Sequence, residues 1–345
     1  MSSLLDPWDS TLGLRDAVTS VITSDRWQAA GPWAALESAG FTLVSVPEAL
    51  GGSGGTSAMA AEIVEVAAEY NATANIGEAC ILAGWALRHA GLSAPPGELT
   101  VAIGGRLVQR NARGWHITAS LTDVSGCAAN GTLTLVTPLA DGESVVSLIP
   151  LTELVCSSYS NIADEPRVSI SLDGWIERAA LADISSREFQ ARGAIIRSIQ
   201  CLGAGRRAFD LSCSYALVRN QFGRPIGRFY AIQDHLAAMA GELLLLRAAV
   251  DAAVQSLDSD DEEAVFFAAA ATKIQANLTA TSVARLSHQV LGAFGFTDES
   301  DLGASTRRLW AWREEFGNEF EWAQRMAKLA SGELPCGLWG LIADT

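Results

Sequence analysis

A short segment at residues 219–223 carries the side chains that are best suited to hold an anionic ligand. It reads Arg-Asn-Gln-Phe-Gly. The planar guanidinium of Arg219 can donate two parallel hydrogen bonds to a phosphate, and the glycine lets the backbone approach a ligand closely. A purely structural interpretation is also open. In it, Arg219 places a cation at a helix C-terminus and Phe222 plugs the turn.

The pattern around this segment predicts a helical hairpin. An apolar helix runs into Arg219, and a second helix, apolar on all sides, begins at Phe229. Glycine and proline at positions 223, 225 and 227 interrupt the pattern between them. We therefore expect both helices of the hairpin to be buried, with the second helix either inside a bundle or at an oligomer interface.

A second turn that is rich in glycine lies further along the chain. Residues 288–297 read His-Gln-Val-Leu-Gly-Ala-Phe-Gly-Phe-Thr, and Arg307 and Arg308 follow. On structural grounds alone, Gly292 and Gly295 could serve only to end a helix. Glycine here would also let the backbone approach a ligand.

The composition restricts the partners and cofactors. The formal net charge is -15, and only two of the 24 basic residues are lysines, which argues against a nucleic-acid partner. No apolar run is long enough to span a membrane and no signal-like segment begins the sequence, so we expect a cytoplasmic protein. The four histidines lack metal-binding spacing, so no metal site is expected. We interpret the six cysteines as reduced core thiols: Cys80, Cys127, Cys156, Cys201, Cys213 and Cys336.

The hydrophobic periodicity divides the chain into three parts. It is helical over residues 1–97, alternates as in short antiparallel strands over residues 98–182, and is helical again over residues 183–345. This order predicts an α+β, mainly α, fold: an N-terminal helical domain, a small middle β-domain and a C-terminal four-helix bundle. The helices expected in the last part span residues 186–218, 229–257, 262–291 and 302 onward.

Three motifs in this order are similar to motifs of the acyl-CoA dehydrogenases. The first is a Pro-Glu-x-x-Gly-Gly-x-Gly turn at residues 47–54. The second begins at Tyr215 and reads Tyr-x-x-x-Arg-x-Gln-Phe-Gly-Arg-Pro-Ile-Gly-x-Phe, with Ala-Ile-Gln-x-x-Leu-Ala-x-Met after it. The third, from Gln289, resembles the Gln-x-x-Gly-Gly-x-Gly-Phe-Thr turn of the family, with Ala293 in place of the second glycine. The resemblance implies the fold of this family and FAD as the cofactor.

In this family FAD lies across a subunit interface, and the C-terminal bundle of the neighbouring subunit holds its adenine–pyrophosphate end. The resemblance assigns that role to residues of the second and third motifs: Arg219, Gln221, Phe222, Gln289, Val290, Gly292 and Ala293. Tyr230 departs from the family pattern, because a glutamine that contacts the nucleotide usually stands there.

The reaction of the family removes the α-proton of an acyl-CoA thioester while hydride leaves the β-carbon for the flavin, and it needs a glutamate base. Counting from the motifs places the two alternative base positions at Gly193 and Gly317, and glycine cannot accept a proton. Glu315 is the nearest substitute. The flavin-binding segments of the family's middle domain are also missing. Residues 115–118, Trp-His-Ile-Thr, are expected to form an ordinary core strand.

These departures leave three functions open. The first is the shortened, base-less subunit of a heterotetrameric (α2β2) acyl-CoA dehydrogenase of the actinobacterial steroid-degrading type, which would complete the FAD site of a catalytic partner subunit. The second is a self-sufficient homotetrameric acyl-CoA dehydrogenase with Glu315 as base. The third is a relative that binds acyl-CoA or a protein partner without redox chemistry. For the first two, the resemblance implies an acyl-CoA substrate and electron-transfer flavoprotein or a similar acceptor.

Overall fold

The computed structural model describes residues 7–25, 27, 31–72, 75–126, 128–140, 142–259 and 261–332. Helices lie at both ends of this range and two four-stranded sheets lie between them, so the predicted α+β, mainly α, fold is confirmed. The helices α1 to α9 span Pro7–Ile22, Pro32–Ser38, Ser57–Glu69, Gly84–Ala90, Ser186–Val218, Tyr230–Ser256, Glu262–Leu291, Leu302–Glu314 and Glu319–Gly332. None of these described helices is long and apolar enough to cross a membrane.

The glycine-rich motif near the N-terminus forms a tight turn between α2 and α3. Gly51 and Gly54 have φ angles of 92° and 68°, which L side chains rarely adopt. A Cβ atom at Gly52 would lie 2.1 Å from the carbonyl oxygen of Val46. The glycines therefore serve the turn, as the sequence predicts, and α3 then packs against the long helix α5.

The middle of the chain forms two sheets, with strand orders β1-β4-β5-β8 and β2-β3-β7-β6. The strands β1 to β8 span Leu99–Ile103, Arg106–Asn111, Gly114–Ser125, Thr132–Pro138, Ser144–Pro150, Val155–Ser160, Pro166–Ile176 and Ala179–Ala182. Pairing is antiparallel as predicted, except that β1 runs parallel to β4. Trp115 and Ile117 are buried in β3, so the predicted core strand is confirmed. Strands β2 and β6 were not predicted from the sequence, because both are exposed edge strands and neither has an alternating apolar pattern.

The C-terminal part of the chain forms the helical bundle. The predicted helices at 186–218 and 262–291 match α5 and α7 to the residue. Ser185 and Asp261 cap their N-termini, accepting backbone N–H bonds from residues of the first turn. Helix α5 contacts α3, α6, α7 and α8, and one apolar core runs through the N-terminal helices and the bundle. The sheets have a core of their own.

The prediction that both helices of the hairpin are buried is wrong for the single chain. Helix α6 buries one side, which includes Met239 and Leu246, and leaves the other uncovered. The apolar residues exposed by at least 60% on the hairpin and α6 are Leu217, Val218, Phe222, Tyr230, Leu244 and Leu245. Nothing within the described residues covers them, so they form an apolar surface on which another chain could pack.

The cysteines are only partly core residues. Cys80 and Cys201 are buried, and burial raises the pKa of their thiols to about 12 and about 11, so both are neutral at neutral pH. Cys156 lies on the exposed strand β6, which corrects its assignment to the core. Cys127 and Cys336 lie outside the described residues.

Candidate functional site

The structure brings the second and third motifs together. The ring of Tyr215, one turn before the end of α5, stacks on the ring of Phe294, with centroids 5.4 Å apart and planes 5° from parallel. Phe294 belongs to the 3-10 turn Gly292–Phe296 that follows α7. The helix end that carries Arg219 therefore lies beside the turn that follows Gln289, although the two are far apart in sequence.

Arg219 ends helix α5, and a small β-hairpin follows it. Asn220–Gln221 pairs with Arg224–Pro225, and the N–H of Ile226 donates to the carbonyl oxygen of Arg219 at 2.8 Å. Phe222, at the tip, has a φ of 54° and is 92% exposed. Phe222 thus does not plug the turn. Its exposed ring, held in an unusual backbone conformation, is available to a ligand or to another subunit.

The connection between helices α5 and α6, which contains the β-hairpin, concentrates positive charge in an otherwise acidic chain. Arg219, Arg224 and Arg228 are exposed, and no carboxylate within the described residues forms an ion pair with any of them. The sequence contains no Asp or Glu between positions 211 and 233. The guanidinium of Arg224 lies 4.3 Å from the ring centroid of Phe229, which restrains its position. This surface can attract phosphate groups.

The adjoining turn offers backbone and small side chains. Gln289, Gly292 and Ala293 are exposed, whereas the side chain of Val290 is buried, so only its backbone could touch a ligand. Gly292 has a φ of 60°, and no atom lies within 4 Å of the place where its Cβ would stand. Apart from Val290, the predicted residues of this turn and of the hairpin are therefore exposed, and the contact between Tyr215 and Phe294 holds the two segments side by side.

A second region with functional side chains is a cleft of about 640 Å³ between the sheets and the bundle. Its walls come from β1, β3, α5 and the loop between α8 and α9, and none of its residues belongs to the hairpin or to the third motif. Glu315 and Gly317 line it. One of the two positions where the resemblance places a base, Gly317, therefore faces a ligand-sized cleft.

Gly193, the other base position, is buried behind the ring of Phe316, which lines this cleft. A Cβ on Gly193 would lie 2.1 Å from Cδ1 of Phe316, so the Phe316 ring occupies the space that a side chain at 193 would need. Phe316 and Gly317 both have positive φ angles, 56° and 95°, and the indole N–H of Trp322 donates to the carbonyl oxygen of Phe316. The loop is thus fixed in a conformation that excludes a side chain at 193.

Glu315 is held by two arginines. Its Oε2 accepts from Nε of Arg197 at 2.7 Å, and its Oε1 accepts from Nη2 of Arg167 at 2.5 Å. Burial alone would raise the pKa of Glu315, but the two guanidinium groups outweigh it and hold the pKa below its ordinary value. A carboxylate in this state is a weaker proton acceptor than a free one.

These ion pairs belong to a buried charge network that joins all three parts of the chain. Arg197 also donates to Glu78 at 2.6 Å, and Glu78 lies in the π-helical segment Glu78–Ala83 before α4. Glu165, on the loop before β7, accepts from Arg167 and from Arg308 at 3.2 Å each. Three carboxylates thus neutralise three guanidinium groups.

This network was not predicted from the sequence. Its members lie far apart along the chain, so no motif connects them. The available signals were single charged residues in apolar surroundings, such as Arg197 in the run Ala-Ile-Ile-Arg-Ser-Ile from Ala194. Elsewhere, no group of three or more His, Cys, Asp or Glu side chains that could hold a metal ion occurs within the described ranges.

The contact between Gly193 and Phe316 can be tested by stability measurements. We expect Gly193→Ala to destabilise the chain by about 1–3 kcal/mol, because the new methyl group overlaps the Phe316 ring. Combining it with Phe316→Ala should cost less than the sum of the single changes, as measured by denaturant unfolding. Gly241→Ala is the control, since α6 has open space at Gly241. Additive losses would contradict this packing.

Comparisons with known proteins agree with the three motifs. The family model described as acyl-CoA dehydrogenase, C-terminal domain, matches residues 187–319. Acyl-CoA dehydrogenase FadE34 of Mycobacterium tuberculosis is 28% identical over 322 residues, which cover 89% of this chain and 42% of that protein. The chain thus spans less than half the length of this relative.

The solved structures agree in fold. The ChsE4-ChsE5 complex from Mycobacterium tuberculosis has a TM-score of 0.81 at 18% identity, covering 97% of this chain and 99% of that one. The Tcur3481-Tcur3483 steroid ACAD has a TM-score of 0.77 at 19% identity, with 95% and 98% coverage. Residues 187–319 thus match the C-terminal domain of the acyl-CoA dehydrogenases, and the described chain has the fold of these solved structures.

Proposed function

We propose that this chain is the non-catalytic subunit of a heterotetrameric, FAD-dependent acyl-CoA dehydrogenase, and that it completes the FAD site of a catalytic partner. The observation that carries the proposal is an asymmetry between two regions. The cleft at the base positions has its buried charges neutralised internally, whereas the surface of the hairpin and the third motif has unpaired arginines and open backbone.

The cleft is unsuited to the chemical step. A dehydrogenase needs a carboxylate at the α-carbon of the thioester, while bound FAD supplies the hydride acceptor. Here position 193 is blocked by Phe316, position 317 is glycine, and Glu315 is paired with Arg197 and Arg167. Asp123 and Glu314 at the cleft add negative charge, which disfavours the phosphates of a nucleotide.

The hairpin surface is suited to the adenine–pyrophosphate end of FAD. Arg219 can pair with phosphate oxygens because no carboxylate of the described chain competes for it. The lack of a side chain at Gly292 lets a ligand approach the backbone without steric cost, and Gln221, Phe222 and Gln289 extend the contact area. The cofactor would thus lie between this surface and a neighbouring subunit.

The uncovered side of α6 supports a partner subunit. Leu244 and Leu245 are exposed by 71% and 60% in the single chain, and small residues such as Ala237, Ala238 and Gly241 lie on the same side. A helix of another chain can approach such a surface closely and bury its leucines. Exposed aromatic side chains, Phe222 at the tip of the β-hairpin and Tyr230 at the start of α6, continue this surface toward the proposed cofactor.

The relatives suggest the substrate class. One structural neighbour is described as a steroid ACAD and another as a complex of two different chains. We infer a CoA thioester with a bulky, steroid-derived acyl group, oxidised to the α,β-unsaturated thioester, with electrons passing to electron-transfer flavoprotein or a similar acceptor. A site shared between two subunits can admit such a bulky group.

The visible absorbance spectrum tests the proposal. The chain is purified alone and after co-expression with an acyl-CoA dehydrogenase subunit that carries the catalytic base. We expect a flavin band only in the co-expressed complex, because neither region of this chain encloses a complete FAD site. A stoichiometric flavin band in the lone protein would overturn the proposal and favour a homotetramer with Glu315 as base. Absence of flavin from the stable complex would favour a partner-binding role without redox chemistry.

A further inference from the structure

One buried lysine has no role in the proposed FAD site. The chain has only two lysines, Lys273 and Lys328. Lys273, on α7, is 0% exposed. Its Nζ donates to Oδ1 of Asn277 at 3.0 Å and to the carbonyl oxygens of Trp312 and Arg313 at 2.6 and 3.1 Å. Three donors thus meet three acceptors, an arrangement that suits an ammonium ion.

The two carbonyl groups belong to the last turn of α8. Carbonyl groups at a helix C-terminus lack partners within the helix, so the ammonium group of Lys273 satisfies them where water cannot reach. Beyond this point the helix ends, and Phe316 and Gly317 take positive φ angles. Asn277 donates in turn to Oε2 of Glu319, at the start of α9, at 3.2 Å. Lys273 and Asn277 therefore connect both ends of the α8–α9 loop to α7.

This loop determines what faces the cleft. It carries Glu315, which pairs with Arg197 and Arg167, and Phe316, which fills the space beside Gly193. We infer that Lys273, as a buried ammonium ion, is the positioning residue that fixes the α8–α9 loop and thereby the wall of the cleft. This inference rests on the contacts of Lys273 and holds whether or not the chain carries a catalytic base.

A charged lysine is energetically unfavourable at this buried position. Burial disfavours the charged form and lowers the pKa of Lys273 to about 8, against the attraction of Glu314 and Glu315. The other titratable groups that act on it are Arg197 and Cys201 of α5. The carbonyl groups that Lys273 satisfies lie at a helix end, where a local opening of the loop can expose them to water. Lys273 should therefore affect the loop more than the whole fold.

Local proteolysis of the full chain tests the inference. In Lys273→Met, the carbonyl groups of α8 lose their donor, and the loop must open for them to reach water. We expect cleavage after Glu314 and Glu315 by a glutamate-specific protease to become about tenfold faster, as for one lost buried hydrogen bond in a local opening. The thermal midpoint should change little. Lys328→Met, which removes the other lysine, is the matched control and should cleave like the parent chain.

Two further variants separate charge from geometry. Lys273→Arg keeps the positive charge, but a planar guanidinium cannot direct its donors at the same three acceptors, so the loop should remain open to cleavage. Asn277→Ala removes one acceptor and should give a smaller increase. The inference is wrong if Lys273→Met leaves cleavage of the loop unchanged. It is also wrong if all cleavage sites loosen equally and the thermal midpoint falls with them.

The pH dependence gives a readout that packing alone would not produce. With two lysines, selective carbon-13 labelling yields two side-chain signals, and Lys328→Met assigns them. We expect the Lys273 signal to titrate near pH 8, below the ordinary lysine pKa of 10.5. In that window the unfolded chain binds more protons, so the free energy of unfolding should rise with pH from about 8 to 10.5. Lys273→Met should lack this rise, and its persistence there would refute the assignment.

Discussion

Replacing Arg219 by alanine in the co-expressed complex is expected to weaken FAD binding by about 1.5–3 kcal/mol, roughly ten- to a hundredfold in Kd. The reason is that Arg219 is exposed and unpaired within the described chain, and the proposed partner of its guanidinium is a pyrophosphate. The measurement is the FAD dissociation constant of the reconstituted complex, obtained from flavin fluorescence.

This change should not affect folding, because the side chain of Arg219 makes no hydrogen bond or ion pair with the part of the chain described by the structure. The thermal midpoint of the lone chain should therefore be unchanged. Arg113→Ala is the matched control, since Arg113 is an exposed arginine on the turn between β2 and β3. An unaltered FAD affinity in Arg219→Ala would remove the hairpin from the proposed cofactor site.

The largest loss of stability is expected from Arg197→Met, about 3–5 kcal/mol at neutral pH. Arg197 is 3% exposed and pairs with both Glu78 and Glu315. Methionine fills much of the same volume but leaves two carboxylates without their main partner. The free energy of unfolding in denaturant measures the effect, and the loss should include the contact between the N-terminal helices and the bundle.

The effect of Arg197→Met should shrink in acid. Burial would raise the pKa values of Glu78 and Glu315, but Arg197, joined by Arg167 at Glu315, outweighs it and lowers both below the ordinary value of 4.5. The stability that comes from these pairs is therefore complete above about pH 4.5 and is lost as the pH falls through the lowered native values. Arg187→Met, which breaks an exposed pair with Glu263, should cost less than about 1 kcal/mol. Equal losses for the two variants would show that burial of the network has no energetic weight.

Local sequence patterns were sufficient to predict most of the fold. The long helices α5 and α7 were predicted to the residue because apolar periodicity, an N-cap and a terminating glycine or arginine coincide at their ends. Edge strands β2 and β6 lacked such agreement, since neither has a buried face of its own. Burial of the hairpin was overestimated because an apolar sequence does not reveal whether its cover comes from the same chain or from another.

The candidate site likewise has one part that sequence motifs indicate and one part that they do not. The residues proposed to contact a nucleotide were a prediction from two continuous motifs, and the stacking of Tyr215 on Phe294 brings these motifs together. The ion pairs at the cleft could not be predicted, because the partners of Glu315 come from β7 and α5, more than one hundred residues earlier in the sequence. The rarity of lysine, two residues against 22 arginines, was a usable sign of Lys273, since a buried position that needs three tetrahedral donors cannot use arginine.

The packing of Phe316 against Gly193 also constrains the order in which a catalytic acid could be regained. With Phe316 in place, any side chain at 193 meets the ring at once. A glutamate there becomes acceptable only after residue 316 has become smaller, and that first step brings no catalytic gain of its own. A single substitution therefore cannot restore a base at 193, which would make dependence on a catalytic partner hard to reverse.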